Sequence, residues 1–323
     1  MEKLYDVAAL GELLIDLTQA GLSAQGNLLF EANPGGAPAN VLAMLRKLGR
    51  RCAFLGKVGA DAFGDVLART LADAGIDLLA LRRDPAAPTT LAVVHSLPGG
   101  ERDFSFYRSP GADTLLRPDE LDGSVLRACR IFHFGSLSLT AEPARSATAE
   151  ALRAARDAGA LISFDPNLRP PLWASPEAAR EQIAWGLAQC DLCKIADDEL
   201  AFMTGQRDPD AGAAMLRRDH PNLRLLCVTA GAGGSYAWCG ASRVFAPACP
   251  LGGVVDATGA GDAFCACMLS FVLDHGADAL SPAALREMLR FANAAAYLVT
   301  TKQGALPSMP SRAAVDALLP AMQ

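Results

Sequence analysis

The residues best suited to chemistry lie in one string, Val255-Asp256-Ala257-Thr258-Gly259-Ala260-Gly261-Asp262. Val254 and Val255 read as the end of a buried strand, and Ala263 to Leu273 is apolar enough for a core helix. A small-residue turn between them lets backbone approach a ligand closely. The first N–H groups of a helix lack intrahelical acceptors, and the helix dipole adds partial positive charge there. A helix opening at Gly259, Ala260 and Gly261 therefore offers an anion hole, with Asp262 beside it. Donors around an anion next to a carboxylate suit phosphoryl transfer to an alcohol. The donors stabilise the transferring group and the carboxylate accepts the hydroxyl proton. A plainer reading, in which Asp262 only caps a helix, fits each part alone; the whole string is more specific.

Three further segments bring polar groups to the ends of apolar runs. Asp16 follows the run Tyr5 to Leu10, at the sheet edge where α/β proteins make ligand contacts, although a solvated loop acid would look the same. In Asn33-Pro34-Gly35-Gly36-Ala37-Pro38-Ala39-Asn40 a glycine pair opens a helix over Val41 to Leu48, and can turn N–H groups toward hydroxyls. Asp165-Pro166-Asn167-Leu168-Arg169 ends another run, and its alternating Asp, Asn and Arg can converge on a polar ligand. An Asx-turn with a surface Arg is the alternative there. The turn Thr229-Ala230-Gly231-Ala232-Gly233-Gly234 has neither the spacing of a dinucleotide fingerprint nor the lysine of a P-loop.

These segments need a scaffold, and the hydrophobic pattern supplies one. Strands are expected at Tyr5–Leu10, Cys52–Val58, Arg130–Phe134, Leu161–Asp165, Leu192–Ile195 and Leu225–Thr229. Helices are expected at Asp61–Asp73, Glu142–Ala158, Pro176–Gln189 and Leu285–Thr301. Such alternation predicts an α/β fold with a parallel sheet and right-handed crossovers. Leu91–His95 and Asp103–Tyr107, joined through Pro98-Gly99-Gly100, break the rhythm as a hairpin. Together with residues of the 15–34 stretch they predict a small β-sheet lid, drawn from roughly 15–34 and 88–110. A lid keeps water from competing with the alcohol. Phe104, Phe106 and Arg108 are its candidate substrate contacts, and an ordinary surface hairpin is the alternative. No repeat or linker divides the chain, so a single domain over 1–323 is expected. Exposed edges and apolar faces on the lid predict a homodimer formed through it.

Composition narrows the partners. The 323 residues are 51% hydrophobic with a net charge of −6, and the pI is near 5.3. That balance excludes a polyanion such as nucleic acid as main partner. The nine cysteines are scattered and odd in number, as reduced cytosolic thiols are. Cys190-Asp191-Leu192-Cys193 lacks a second pair and a nearby His, and the four histidines show no ligand spacing. The N-terminal residues do not read as a signal peptide, and no window has the roughly 18 apolar residues of a membrane span. A cytoplasmic protein with no membrane partner is expected.

Asp256-Ala257-Thr258-Gly259-Ala260-Gly261-Asp262 resembles the C-terminal D-x-x-G-A-G-D signature of the ribokinase-like, or PfkB, carbohydrate kinases. The resemblance runs through almost the whole chain in the family's motif order. It implies a three-layer α/β/α fold, a mostly parallel central sheet and a β lid. It also implies ATP as phosphoryl donor with Mg²⁺, Asp262 as catalytic base, a hole at Gly259, Ala260 and Gly261, and Arg169 at the active site. Asp16, Gly35, Gly36 and Asn40 would contact the sugar, joined by Asp165. Lys194, Thr229, Gly231 and Gly234 would serve the nucleotide phosphates, and Asn293 the adenine, unless Asn293 is a helix-surface residue. Glu199 would help organise Mg²⁺ through water, although Ala196 stands where the family usually has Asn. Asp256, Thr258, Gly304 and Ser308 would border a K⁺ site. The N-terminal strings resemble the fructokinase branch, which implies transfer to the 6-hydroxyl of D-fructose. Acceptors of 2-keto-3-deoxygluconate kinase, ribokinase or aminoimidazole riboside kinase are the alternatives within the family. A sugar or nucleotide sensor is the alternative outside enzymes. An NAD-dependent oxidoreductase is disfavoured by the missing fingerprint, and a phosphofructokinase by the lack of a basic cluster.

Overall fold

A computed structural model describes residues 3–96, 102–278 and 280–322. The expected Pro98-Gly99-Gly100 turn lies outside the described residues, as does the Phe104 side chain. The chain begins β1 (Tyr5–Leu10), β2 (Leu14–Leu22), β3 (Leu28–Gly35), α1 (Ala37–Lys47), β4 (Cys52–Gly59), α2 (Ala62–Asp73) and β5 (Leu81–Asp84). It continues β6 (Leu91–Ser96), β7 (Arg102–Tyr107), α3 (Gly123–Ala128), β8 (Cys129–Gly135), α4 (Ala144–Asp157), β9 (Leu161–Asp165), α5 (Pro176–Gln189) and β10 (Leu192–Ala196). It ends α6 (Asp197–Thr204), α7 (Pro209–Asp219), β11 (Leu225–Thr229), β12 (Ser235–Cys239), β13 (Ser242–Ala246), α8 (Ala260–His275), α9 (Pro282–Thr300) and α10 (Arg312–Leu318).

Nine strands form the main sheet in the order β13-β12-β11-β10-β9-β8-β1-β4-β5. From β5 to β11 the pairs are parallel, and β11–β12 and β12–β13 are antiparallel. The alternation of side chains along β1 shows the layering. Val7 and Ala9 pack into a core with α1, α2, α8, α9 and α10, whereas Ala8 and Leu10 pack into the core built with α3 to α7. This is a three-layer α/β/α sandwich. The sequence direction reverses around β1, which leads to β4 on one side and lies beside β8 on the other. Open α/β sheets bind ligands at such a switch, outside the carboxyl ends of the strands.

A second, four-stranded sheet in the order β3-β2-β6-β7 stands apart from the first. The 14–35 stretch is a full antiparallel pair in it, with Asp16 opposite Asn33. Helix α8 is apolar around most of its circumference because it is buried, packing on α1 and α9.

Two expectations are corrected by the fold. Alternation of strand and helix ends at β11, after which two short strands return antiparallel through Gly240. Val254 and Val255 form no strand: they are 65% and 55% exposed in an irregular segment. The N–H of Val255 donates to the Thr300 carbonyl at 2.7 Å, so a helix C-terminus holds this segment instead of a sheet neighbour.

Candidate active site

A cavity of about 620 Å³ opens where β1, β9 and β10 end, with the start of α8 on one wall and Leu14, Asp16 and Phe106 of the small sheet on another. Many of the groups predicted to do chemistry meet here: Asp16, Gly36, Asn40, Phe106, Arg169, Lys194, Thr258, Gly259, Gly261 and Asp262 all line it.

The α8 wall is built by its turn. Gly259 has φ 84°, and a Cβ there would lie 2.8 Å from the Cβ of Ala305, so any other residue would be strained and displace its neighbour. Asp256 accepts hydrogen bonds from the N–H groups of Thr258 (2.8 Å) and Gly304 (3.1 Å), tying this turn to the segment after α9. Of the predicted hole, the N–H of Gly259, like that of Gly261, has no acceptor among the described residues. The Ala260 N–H donates to Ala257 O at 3.2 Å, whereas those of Gly261 and Asp262 have no acceptor among the described residues.

Asp262 is buried and accepts from Asn40 Nδ2 at 2.8 Å. Burial pushes its carboxyl above the usual range, against the Asn40 hydrogen bond and the charges of Lys194 and Arg169. A carboxylate raised in this way is a stronger proton acceptor.

Behind it Lys194, in the middle of β10, pairs with Asp165 at 3.2 Å, both side chains buried. Burial alone would lower the lysine; Asp165, Glu199 and Asp262 together hold it above the ordinary lysine range. Its ammonium therefore stays charged, and a Cβ on Gly261 would lie only 3.0 Å from Nζ. A cation thus reinforces the N-terminus of α8. Removing either member of such a buried pair costs about 3–5 kcal/mol. Arg169 leans back on its own loop, donating to Asn167 Oδ1 at 2.8 Å, with Asn167 in the left-handed region at φ 45°.

Glu199 does not line the cavity. Its two carboxylate oxygens accept the N–H groups of Ala196 (2.9 Å) and Leu168 (2.6 Å). It caps α6 and pins the Asp165–Arg169 loop, which is how it affects the site. Among the described residues no three His, Cys, Asp or Glu side chains come close enough to hold a metal.

The adjoining wall is the start of α1. A Cβ on Gly35 would lie 2.6 Å from Asp16 Oδ2, and one on Gly36, at φ 125°, would lie 2.4 Å from the Glu12 carbonyl oxygen. These two glycines bring the helix start against β1 and β2.

Several predicted residues lie elsewhere. Arg108 does not line this cavity but, with Phe106, a smaller hollow of about 240 Å³; its buried guanidinium pairs with Asp113 (2.7 Å) and donates to Thr140 Oγ1 and the Leu137 carbonyl. Its nitrogens are engaged within the 108–140 region, so in this structure none points into the cavity that holds Asp262. Asn293 is neither exposed nor on the cavity wall. Its side chain joins α9 to Ser235 Oγ (2.9 Å) and to the carbonyls of Ala246 and Pro247. Thr229 ends β11 opposite Ala196, and Gly231 and Gly234 follow at φ 51° and 98°. The Ser308 hydroxyl donates to Gln303 O, near Gly304.

Sequence reasoning missed Glu12, Leu137, Val254 and Val255, all of which line the cavity. For Glu12 the signal was present: a single acid inside Leu10-Gly11-Glu12-Leu13-Leu14-Ile15, which is apolar on both sides.

The sequence profile described as pfkB family carbohydrate kinase matches residues 5–312. A protein of Arabidopsis thaliana named probable fructokinase-2 is 44% identical over 311 residues, covering 94% of this chain and 93% of its own. The fructokinase of Xylella fastidiosa with bound ATP superposes with a TM-score of 0.88 at 34% identity, covering 98% of this chain and 99% of that one. A fructokinase double mutant of Vibrio cholerae O395, in a fructose-, ADP- and potassium-bound form, gives a TM-score of 0.85 at 31% identity, with 99% of each chain covered.

Proposed function

The chain belongs to the PfkB family of carbohydrate kinases, and from that premise we propose that it transfers the γ-phosphoryl group of ATP to the 6-hydroxyl of D-fructose, giving fructose 6-phosphate and ADP. The observation that carries this reading is the buried Asp262, held by Asn40 at 2.8 Å in the first turn of α8, on the wall of a cavity that also holds Asp16. Fructokinases with 42–44% identity over most of this chain support the acceptor.

In this mechanism Asp16 and Asn40 receive the sugar hydroxyls. Asp262 takes the proton of the attacking hydroxyl, whose oxygen bonds to the γ-phosphorus as the bond to the β-phosphate oxygen breaks. The free N–H groups of Gly261 and Asp262, with Lys194 and Arg169, stabilise charge on the transferring group. The donor set fits Mg²⁺ carried by the nucleotide, because the described residues offer no cage of carboxylates and Mg²⁺ needs few protein ligands. Bound there, Mg²⁺ neutralises phosphate charge; Glu199 acts on the site through the loop it pins. The Asp256–Thr258–Gly304 cluster, with Ser308 close by, is the proposed K⁺ site, and Thr229, Gly231 and Gly234 the proposed nucleotide side.

The small sheet is proposed to close over the sugar and to pair with a second copy. Its exposed Leu22, Leu28 and Phe30 support that role. Among the described residues no helix is long and apolar enough to cross a membrane. The nine cysteines are all free, which supports a reducing, cytoplasmic setting. A 2-keto-3-deoxygluconate acceptor would need a cation for its carboxylate; engagement of Arg108 leaves Arg169 as the candidate.

The test is ADP release with ATP, Mg²⁺ and K⁺ across fructose, ribose, 2-keto-3-deoxygluconate, aminoimidazole riboside and fructose 6-phosphate. Fructose is expected to give the highest kcat/KM. A higher value for another acceptor overturns the substrate, and no turnover on any overturns the kinase reading.

A further inference from the structure

Glu12 is 3% exposed, lies in the turn between β1 and β2, and lines the cavity beside Asn40 and Asp262. One oxygen, Oε1, accepts the N–H of Ala37 at 2.8 Å. This bond closes the start of α1, an eleven-residue helix with no acid in its first turn and no capping side chain of its own. A carboxylate there also complements the helix dipole. The same first turn carries Asn40, which holds Asp262.

The other oxygen, Oε2, has no hydrogen-bond partner among the described residues, and neither does Asn40 Oδ1. Two buried acceptors on one cavity wall, both without donors, are costly in a folded protein and call for a ligand that supplies them. A polyhydroxylated molecule supplies O–H donors in that number. The environment of Glu12 agrees. Burial pushes its carboxyl up to about 7, against the Ala37 hydrogen bond and the charge of Arg108, with Asp113 adding to the rise.

We propose that Glu12 is a further sugar-positioning residue: Oε1 pins the turn of α1 that carries Asn40, and Oε2 accepts a hydrogen bond from a hydroxyl of the acceptor sugar. This rests on the reading of the cavity as a sugar site.

The variant Glu12→Gln separates the two oxygens' roles. Its amide oxygen still accepts from Ala37, while its NH₂ group replaces the acceptor offered to the sugar. Wild type, Glu12→Gln and Glu12→Ala are compared for kcat, sugar KM and ATP KM, on the sugar that the wild type turns over best, with thermal unfolding of each. For Glu12→Gln the sugar KM is expected to rise about tenfold to a hundredfold, as for loss of a hydrogen bond to a charged group, with kcat within about threefold and ATP KM unchanged. Glu12→Ala is expected to lose kcat as well, since the start of α1 is released. A purely structural Glu12 would not split sugar KM from kcat in the folded Gln variant. An unchanged sugar KM in Glu12→Gln, with an active wild type, overturns this inference alone. A wild type inactive on every sugar overturns the sugar-site reading and this inference with it.

Discussion

Helices α1 and α8 pack together beside the cavity and begin in the same way. Each opens on a glycine with positive φ, Gly36 at 125° and Gly259 at 84°, and neither has a side-chain cap. In both, the first helical bond runs back to that glycine's carbonyl, from Asn40 at 2.9 Å and from Ala263 at 2.9 Å. The difference lies in what meets the orphan N–H groups. At α1 a carboxylate from another segment, Glu12, takes one of them. At α8 the N–H groups of Gly261 and Asp262 have no acceptor among the described residues, and the charged Lys194 stands beside them. One backbone device therefore gives a closed start that positions a side chain and an open start that receives an anion.

The largest break in this pairing is at the open end. Asp262→Asn keeps the shape and removes the base, so kcat is expected to fall by about 10²–10⁴, the usual range for losing a general base. The variant should unfold at or above the wild-type temperature, because a buried carboxyl held above its usual range has been replaced. Turnover at the wild-type rate would remove Asp262 from its assigned role.

The glycines come next, and they should differ in kind. A Cβ on Gly36 meets backbone, the Glu12 carbonyl at 2.4 Å and 3.1 Å. Backbone cannot step aside, so Gly36→Ala is expected to cost on the order of 3 kcal/mol, including left-handed strain. A Cβ on Gly259 meets Ala305 Cβ at 2.8 Å and the flexible end of Met309 at 3.3 Å. Gly259→Ala should lose about 1–2 kcal/mol while lowering kcat, since it tilts the open helix start. Denaturant unfolding alongside kcat would show this. Equal stability losses with intact kcat in both would erase the distinction between the two helix starts.

The two ends were unequally legible in the sequence. At α8 the carboxylate, the glycines and the apolar helix are contiguous, so one short string displays the chemistry and its support. At α1 the closing carboxylate is 25 residues from the N–H it binds. No local pattern links Glu12 to Ala37. Long-range partners also hid the roles of Asn293, whose contacts lie 46 to 58 residues away, and of Glu199, which reaches back 31 residues to Leu168. Val254 and Val255 failed for another reason. Apolar side chains signal burial equally well in a core and on a cavity wall, and here they are on the wall. Six strands of the parallel sheet were readable as short apolar runs, whereas the edge strand β5, Leu81-Arg82-Arg83-Asp84, was missed because it is mostly charged. The β12–β13 pair was missed because it follows a glycine-rich turn and is bridged by Gly240, with no helix to mark the alternation.

Asn40 is the bridge between the two ends, and breaking it should have a smaller effect than losing the base. Asn40→Ala removes a hydrogen bond that favours the ionised form of Asp262, so the Asp262 carboxyl rises further. The acid limb of the kcat/KM profile should move to higher pH, with a loss of about tenfold to a hundredfold at neutrality. In an Asp262→Asn background the same change should cost less, because the two residues act through one contact.

The smallest expected effect is a matter of protons at the closed end. Glu12, pushed up to about 7 by burial, binds more protons in the folded chain than in the unfolded one between its ordinary value near 4.5 and 7. Its contribution to stability is therefore fully present below about 4.5 and is lost as pH rises through 7, by an amount on the order of 3 kcal/mol. Glu12→Gln lacks this loss, so it should be more stable than wild type at pH 8, with the advantage vanishing toward pH 5. Sugar binding has the opposite sign. A hydroxyl donated to Oε2 favours the ionised carboxylate, so binding should release part of a proton near pH 7 and tighten as pH rises to that point. Arg108 and Asp113 face Glu12, and Asp16, Asp262, Lys194 and Arg169 share its cavity. Asp262 is raised as well, so the Gln variant is needed to isolate the Glu12 share. Calorimetry of fructose binding in two buffers of different ionisation enthalpy reads the released proton directly. Equal release from wild type and Glu12→Gln would assign it to Asp262 and leave Glu12 as a cap alone. Release confined to the wild type would mean that α1 is closed by a group the sugar also uses, which makes the closed helix start as much a part of recognition as the open one is of transfer.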